Sequence, residues 1–291
     1  LIYLRRKFIL WISVLIIFGH NFLDPINFED NKLLELLWAF LHKNTFVALS
    51  DNFGVNILYP VLPMIGIIGF GYYIGKWFTK EYSSEIRSGY LFYVGMAMVF
   101  LFLSLRFFQL VAEQYSYIFY LKVNDLDNGL LVAFKNVMSF LVENYGDPSP
   151  WQVQESFTYS FISFFNTTKY PMSLLYILMT LGPAFMFLSY MENKNIFFTR
   201  LMKVYGSVPL FYYVLHLFLI HTLAIVIAVL THLDKMDYIL KGDWTALSEN
   251  YGFKMPVVYL IWLIVLALLY PACVAYGKLK AKKKYKFLSF L

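Results

Sequence analysis

VPLFYYVLHLFLIH, residues 208–221, places His216 and His221 inside a run that stays apolar to residue 230. The run is long enough to cross a bilayer, which takes about 20 mostly apolar residues. It is apolar around its whole circumference, unlike the one-sided stripe of a surface helix. An ionisable ring at bilayer depth is costly and usually faces a bundle interior or a wet cavity. This stretch therefore predicts an all-α, polytopic transmembrane bundle that does something within the membrane.

Working outward, five further runs qualify: 8–22, 57–78, 90–108, 171–190 and 256–276, with the sixth at 208–230. The 291-residue chain is 60% hydrophobic and only 14% charged, whereas soluble domains average about 25% charged residues. Trp11, Trp77, Trp151 and Trp262 fall near span ends, as interfacial anchors do. The lone Cys273 excludes an intrachain disulfide. Leu1 to Leu4, directly before Arg5, Arg6 and Lys7, reads as the tail of an earlier span, so the chain is expected to be the C-terminal portion of something longer. The whole of 1–291 reads as a single transmembrane domain with an extracytoplasmic insertion at about 109–156.

Charge predicts orientation. Connections on one side hold Arg5, Arg6, Lys7, Lys76, Lys80, Arg87, Lys194, Arg200, Lys203 and six lysines from Lys278 to Lys286. These are 15 of the 24 basic residues, against only three acids, Glu81, Glu85 and Glu192. By the positive-inside rule that side is cytoplasmic, which puts the C-terminus there. The basic balance then reflects topology and not nucleic-acid binding. The other side carries three connections, 23–56, 109–170 and 231–255. Within the second, 113–143 has apolar residues at helical spacing and reads as an amphipathic element on the outer surface.

Polar residues gather toward that outer side. His20, Asn21 and Asp24 end the first span, and Arg106 lies in the last outer turn of the third. YGDPSPW (145–151) and NTTKYP (166–171) precede the fourth span. Buried polar groups are costly without partners, so several at one depth predict a shared wet pocket. Each has a plainer reading: a proline-rich turn for Asp147, snorkelling for Arg106 and Lys169, and a helix cap for His20. His216 and His221 are about 140° apart around a helix of 3.6 residues per turn. They also lack the i, i+4 spacing of a helical metal pair, and either a structural or a catalytic role is open to each. Gly71 and Gly75 form a small-xxx-small pair expected to mediate close helix packing, and Pro183 is expected to kink the fourth span.

Six segments in order, IFGHNFLD (17–24), LYPVLPMIGIIGFGYYIGKWF (58–78), LRFF (105–108), YGDPSPW, FFNTTKYPMSLLYILMTLGPA (164–184) and GSVPLFYYVLHLFLIH (206–221), resemble bacterial multi-pass proteins similar to heparan-alpha-glucosaminide N-acetyltransferase. That family belongs with the wider transmembrane acyltransferases. Family members begin with about four more spans, the first carrying an Asp-x-x-Arg-Gly pattern followed by the presumed catalytic histidine, and none of that stands here. Met64 and Met172 also replace an expected Trp and Pro. The resemblance implies acyl transfer, with acetyl-CoA or another acyl-CoA as donor, to a hydroxyl or amine of an envelope glycan or glycolipid. No metal is implied. His216 and His221 become supporting catalytic candidates, with the main base expected upstream of residue 1. Arg106, Asp147, Trp151, Asn166, Lys169, Tyr170, His20, Asn21 and Asp24 become candidates for binding substrate. Partners are then membrane lipid and the acceptor, and a homo-oligomer is left open. A carrier for a lipid-linked sugar and a non-catalytic assembly protein are the alternatives. A carrier predicts inverted internal symmetry, which the six spans do not display.

Overall fold

A computed structural model describes residues 4–28, 31–50, 53–123, 151, 153–231 and 253–282. Six of its helices are long and apolar enough to cross a membrane: Arg6–Leu23, Val61–Phe78, Ser84–Leu110, Leu174–Met191, Pro209–Ile227 and Met255–Ala281. They coincide with the six runs read from the sequence, and the chain is a multi-pass membrane protein. The described residues form two compact units, residues Leu1–Asn193 and Lys194–Leu291.

Unit 1 starts with α1 (Arg6–Gly19), which tightens into a 3-10 turn over His20–Leu23. The connection to the next span is structured. Asn31 caps α2 (Lys32–Leu41) by accepting from the Leu33 and Leu34 amides at 3.1 and 3.2 Å, which satisfies two of the orphan donors of a first turn. An antiparallel hairpin follows, β1 (Thr45–Ser50) with β2 (Phe53–Ile57). Ala39 of α2 is buried with Val47 and Ile57 of the hairpin.

The spans α3 (Val61–Ile74), α4 (Ser84–Val123) and α6 (Leu174–Met191), with the short α5 (Phe157–Phe165), complete the unit. Pro183 stands inside α6. Two glycine contacts set how closely these helices approach. A Cβ on Gly69 of α3 would lie 2.2 Å from the Ser13 Oγ of α1, and one on Gly66 would lie 2.9 Å from Ile16. A Cβ on Gly95 of α4 would lie 2.7 Å from the Gly182 carbonyl oxygen of α6. Gly71 and Gly75 have nothing within 4 Å of such an atom. The packing pair expected at Gly71 and Gly75 is therefore corrected to Gly66 and Gly69, one helical face away. Ile17, Phe102, Leu174, Leu175, Ile177 and Leu178 form the core where α1, α4 and α6 meet.

At the other end of α4 and α6, Arg87 pairs with Glu192, and Ser88 and Ser189 exchange hydrogen bonds of 2.8–3.1 Å. The amphipathic element read from residue 113 is, as far as Val123, a continuation of α4 and not a separate helix. Its remainder, with most of the 109–156 insertion, lies outside the described residues.

Unit 2 consists of α7 (Phe197–Ser207), α8 (Pro209–Thr231) and α9 (Met255–Ala281). The Tyr205 hydroxyl donates to the Leu266 carbonyl at 2.6 Å, and Phe211 stacks on Tyr276 with ring centroids 4.2 Å apart. Burial holds the Tyr205 phenol above its usual pKa.

Candidate functional site

The end of α1 in unit 1 concentrates buried polar groups. His20 and Asn21, read from the sequence as part of a polar pocket at the span end, are 1% and 6% exposed. They open the 3-10 turn that follows α1, in which Asp24 is the closing residue. Asn21 ties its own turn to the start of α6. Its Oδ1 accepts from the Leu174 amide at 3.0 Å, satisfying a buried donor at the start of α6, and its Nδ2 donates to Asp24 Oδ2 at 3.2 Å.

Asp24 engages a residue that the sequence reading passed over. His42, one residue past α2, places Nε2 2.6 Å from Asp24 Oδ1. The His42 ring is buried, while the Asp24 side chain is 43% exposed. With Nε2 engaged by Asp24, Nδ1 is the remaining ring nitrogen, and the tautomer that donates from Nε2 has its lone pair there. Trp38 lies against His42 with centroids 5.2 Å apart and donates its indole N–H to the Ile26 carbonyl at 2.9 Å, which closes the 24–42 loop. Lys43 donates to Asn27 and so turns away from the dyad.

The His20 ring meets His42 edge to face, centroids 5.7 Å apart. The Met172 backbone approaches His20. Yet both His20 nitrogens and His42 Nδ1 are buried with no partner in hydrogen-bond geometry among the described residues. Buried polar groups are bonded in the great majority of cases, and exceptions mark water, ligand or catalysis.

Arg106 and Gln109 stand nearby on α4, both fully enclosed. Arg106 Nη1 donates to Gln109 Oε1 at 3.0 Å, and Nη2 donates to the Asn166 carbonyl. Arg106 therefore does not snorkel. It holds the end of α5, and with it the 166–173 loop that leads to Met172 and Asn21. The Asn166 side chain is exposed, and its backbone serves the site.

No protein-family model, curated protein or solved structure matches this chain.

The remaining sequence candidates fall in three places. Lys169 is exposed, with Nζ 4.9 Å from the Tyr170 ring centre, and Tyr170 meets Tyr59 edge to face. Hydrogen bonding to Tyr170 raises the Lys169 pKa, and the same bond, with Tyr59, lowers that of Tyr170. Trp151 donates its indole N–H to the Ser160 carbonyl at 3.0 Å and packs on Phe164, so it anchors α5. Asp147 lies outside the described residues.

His216 and His221 belong to unit 2. His216 is half-buried, stacks on Tyr212 with centroids 5.3 Å apart, and contacts the Tyr213 carbonyl through Nδ1. His221 is exposed, with Nδ1 2.7 Å from the Leu217 carbonyl. Each ring bonds back to its own helix, the ordinary fate of a polar side chain in an apolar span. Among the described residues no group of three metal-ligating side chains is arranged to hold an ion.

Proposed function

We propose that this protein is a membrane acyltransferase that moves an acyl group, acetyl in the simplest case, from an acyl-CoA to a hydroxyl or amine of an envelope glycan or glycolipid. The observation that carries this reading is the polar cluster of His20, Asn21, Asp24 and His42, buried except for the partly exposed Asp24, with the buried Arg106 holding the 166–173 loop whose far end Asn21 engages at Leu174. Acyl transfer needs a base to take the acceptor proton, worth about 10²–10⁴-fold, and fixed donors for the developing oxyanion. Histidine, asparagine and arginine side chains supply both kinds of group. The segments that resemble transmembrane acyltransferases include 17–24, which carries His20, Asn21 and Asp24, and 105–108, which carries Arg106, while 164–184 supplies the backbone that Asn21 and Arg106 bond.

The distribution of basic residues supports an inner-membrane location with the C-terminus in the cytoplasm. The cluster then lies on the outer side, where envelope glycans are assembled. The exposed Lys169 and the half-buried Tyr170, and Asp147 from the preceding loop, are suited to contact the acceptor. The test is label transfer from [¹⁴C]acetyl-CoA to an envelope glycolipid fraction by the protein in proteoliposomes. Transfer that depends on the protein supports the proposal. Absence of transfer, together with no CoA binding by calorimetry, refutes it.

A further inference from the structure

We propose that His42 is the general base of the acyl transfer and that Asp24 is its positioning residue, with His20 as the second polar contact for the incoming acceptor. This inference rests on the acyl-transfer reading above. It assigns a base within this chain, on a residue that neither the sequence pattern nor the family resemblance singles out.

Three observations converge. First, the 2.6 Å contact between Asp24 Oδ1 and His42 Nε2 engages that nitrogen, and the tautomer that donates through it has its basic lone pair on Nδ1. This is the relation of a base to its orienting carboxylate in nucleophile–base–carboxylate arrangements. Second, Nδ1 is buried with no partner in hydrogen-bond geometry among the described residues, beside the buried ring of His20, which the Met172 backbone approaches. Third, the dyad lies one side chain below the surface, because Asp24 is partly exposed while His42 is not.

Both rings are closed off in this state, so an acceptor reaches Nδ1 only after a local rearrangement at the dyad. α2 rests on the hairpin through Ala39 and Leu36, while its Leu33 and Leu37 are exposed.

The step balances as follows. The acceptor oxygen or nitrogen attacks the thioester carbonyl carbon while its proton passes to His42 Nδ1. The new C–O or C–N bond forms, the carbonyl pair returns, and the C–S bond breaks. The leaving thiolate takes the proton from the imidazolium, which restores His42 and releases the free thiol. Asp24 stabilises the imidazolium throughout and keeps its own charge. The titratable groups packed against His42 are Asp24 and His20, and Lys43, its chain neighbour, is engaged by Asn27.

The experiment uses the native protein in proteoliposomes, with [¹⁴C]acetyl-CoA and the envelope glycolipid fraction, beside His42→Gln, His42→Ala and Asp24→Asn. Glutamine keeps an amide donor for Asp24 and guards against misfolding, which size-exclusion chromatography checks. The expected result is a loss of about 10²–10⁴-fold in kcat for both His42 variants with the donor KM unchanged. Added imidazole should restore His42→Ala at least about tenfold, and Asp24→Asn should move the acid limb of the kcat/KM pH profile to lower pH. If native protein is active and His42→Gln is also active to within threefold, His42 is not the base and acyl transfer stands. If activity is lost but neither imidazole rescue nor the profile shift appears, the dyad is structural and the inference is overturned. If native protein transfers nothing, the acyl-transfer reading itself fails and the role of His42 falls with it.

Discussion

Gly95→Ala should separate α4 from α6 and destabilise unit 1. An added Cβ meets the Gly182 carbonyl oxygen at 2.7 Å, Met186 Cγ at 2.8 Å and the Met186 amide nitrogen at 2.9 Å. Two of these atoms are backbone and belong to a helix, so no rotamer change relieves them. Ordinary contact begins at 3.4 Å, and the helices must part by about 0.7 Å to reach it. Overpacking of this kind costs about 1–3 kcal/mol. Alanine also gains helix propensity over glycine, about 1 kcal/mol, which would mask part of the effect. Gly71→Ala supplies the reference, because a Cβ there meets nothing within 4 Å and only the propensity gain remains. The difference between the two variants should thus be about 1–3 kcal/mol, with Gly95→Ala the less stable. Equilibrium unfolding in mixed micelles, titrated with SDS and followed by circular dichroism, reads that difference. Two variants equal to within about 0.5 kcal/mol would show that the helices do not approach as described.

Asn21→Ala should cost about 1–3 kcal/mol, because the Leu174 amide loses its acceptor in a buried place. Hydrogen exchange at Leu174 should speed up in parallel. Glu192→Gln should cost about 1–3 kcal/mol, between the values of surface and buried pairs, since both side chains are mostly covered. A double-mutant cycle with Arg87→Met should recover most of that loss as coupling between the two. Lys169→Met should return the Tyr170 phenol upward toward its ordinary pKa, since the lysine hydrogen bond is the largest cause of its lowering. Carbon-13 NMR of labelled tyrosine follows that titration, and an unchanged midpoint would exclude the contact.

Composition alone made the spans legible, because each run is apolar around most of its circumference and not along a single stripe. The glycine register was harder to read. Small residues recur along 66–75, and a spacing of four does not say which pair meets a neighbour; only the position of Ser13 and Ile16 on α1 decides it. The α2–hairpin connection did carry signals. Asn31 before LLELLWAFL is a helix start, and TFVALS and FGVNI flank an Asp-Asn pair as hairpin strands do. His42 had no such mark. It stands alone at the end of a surface helix, and its meeting with Asp24, 18 residues earlier, depends on the chain reversing through α2. Arg106 was visible as a charge near a span end. Its enclosure follows from the 166–173 loop folding back over it, which no spacing in the sequence encodes.

Transfer across the bilayer tests the central claim most directly. Inverted membrane vesicles expose the cytoplasmic face, so [¹⁴C]acetyl-CoA added outside meets that face while the glycolipid acceptor faces the lumen. Acyl transfer to the outer-side cluster predicts protein-dependent label on lumen-facing glycan, lost in His42→Gln. Label confined to acceptors on the donor side, or no label with either protein, would contradict it.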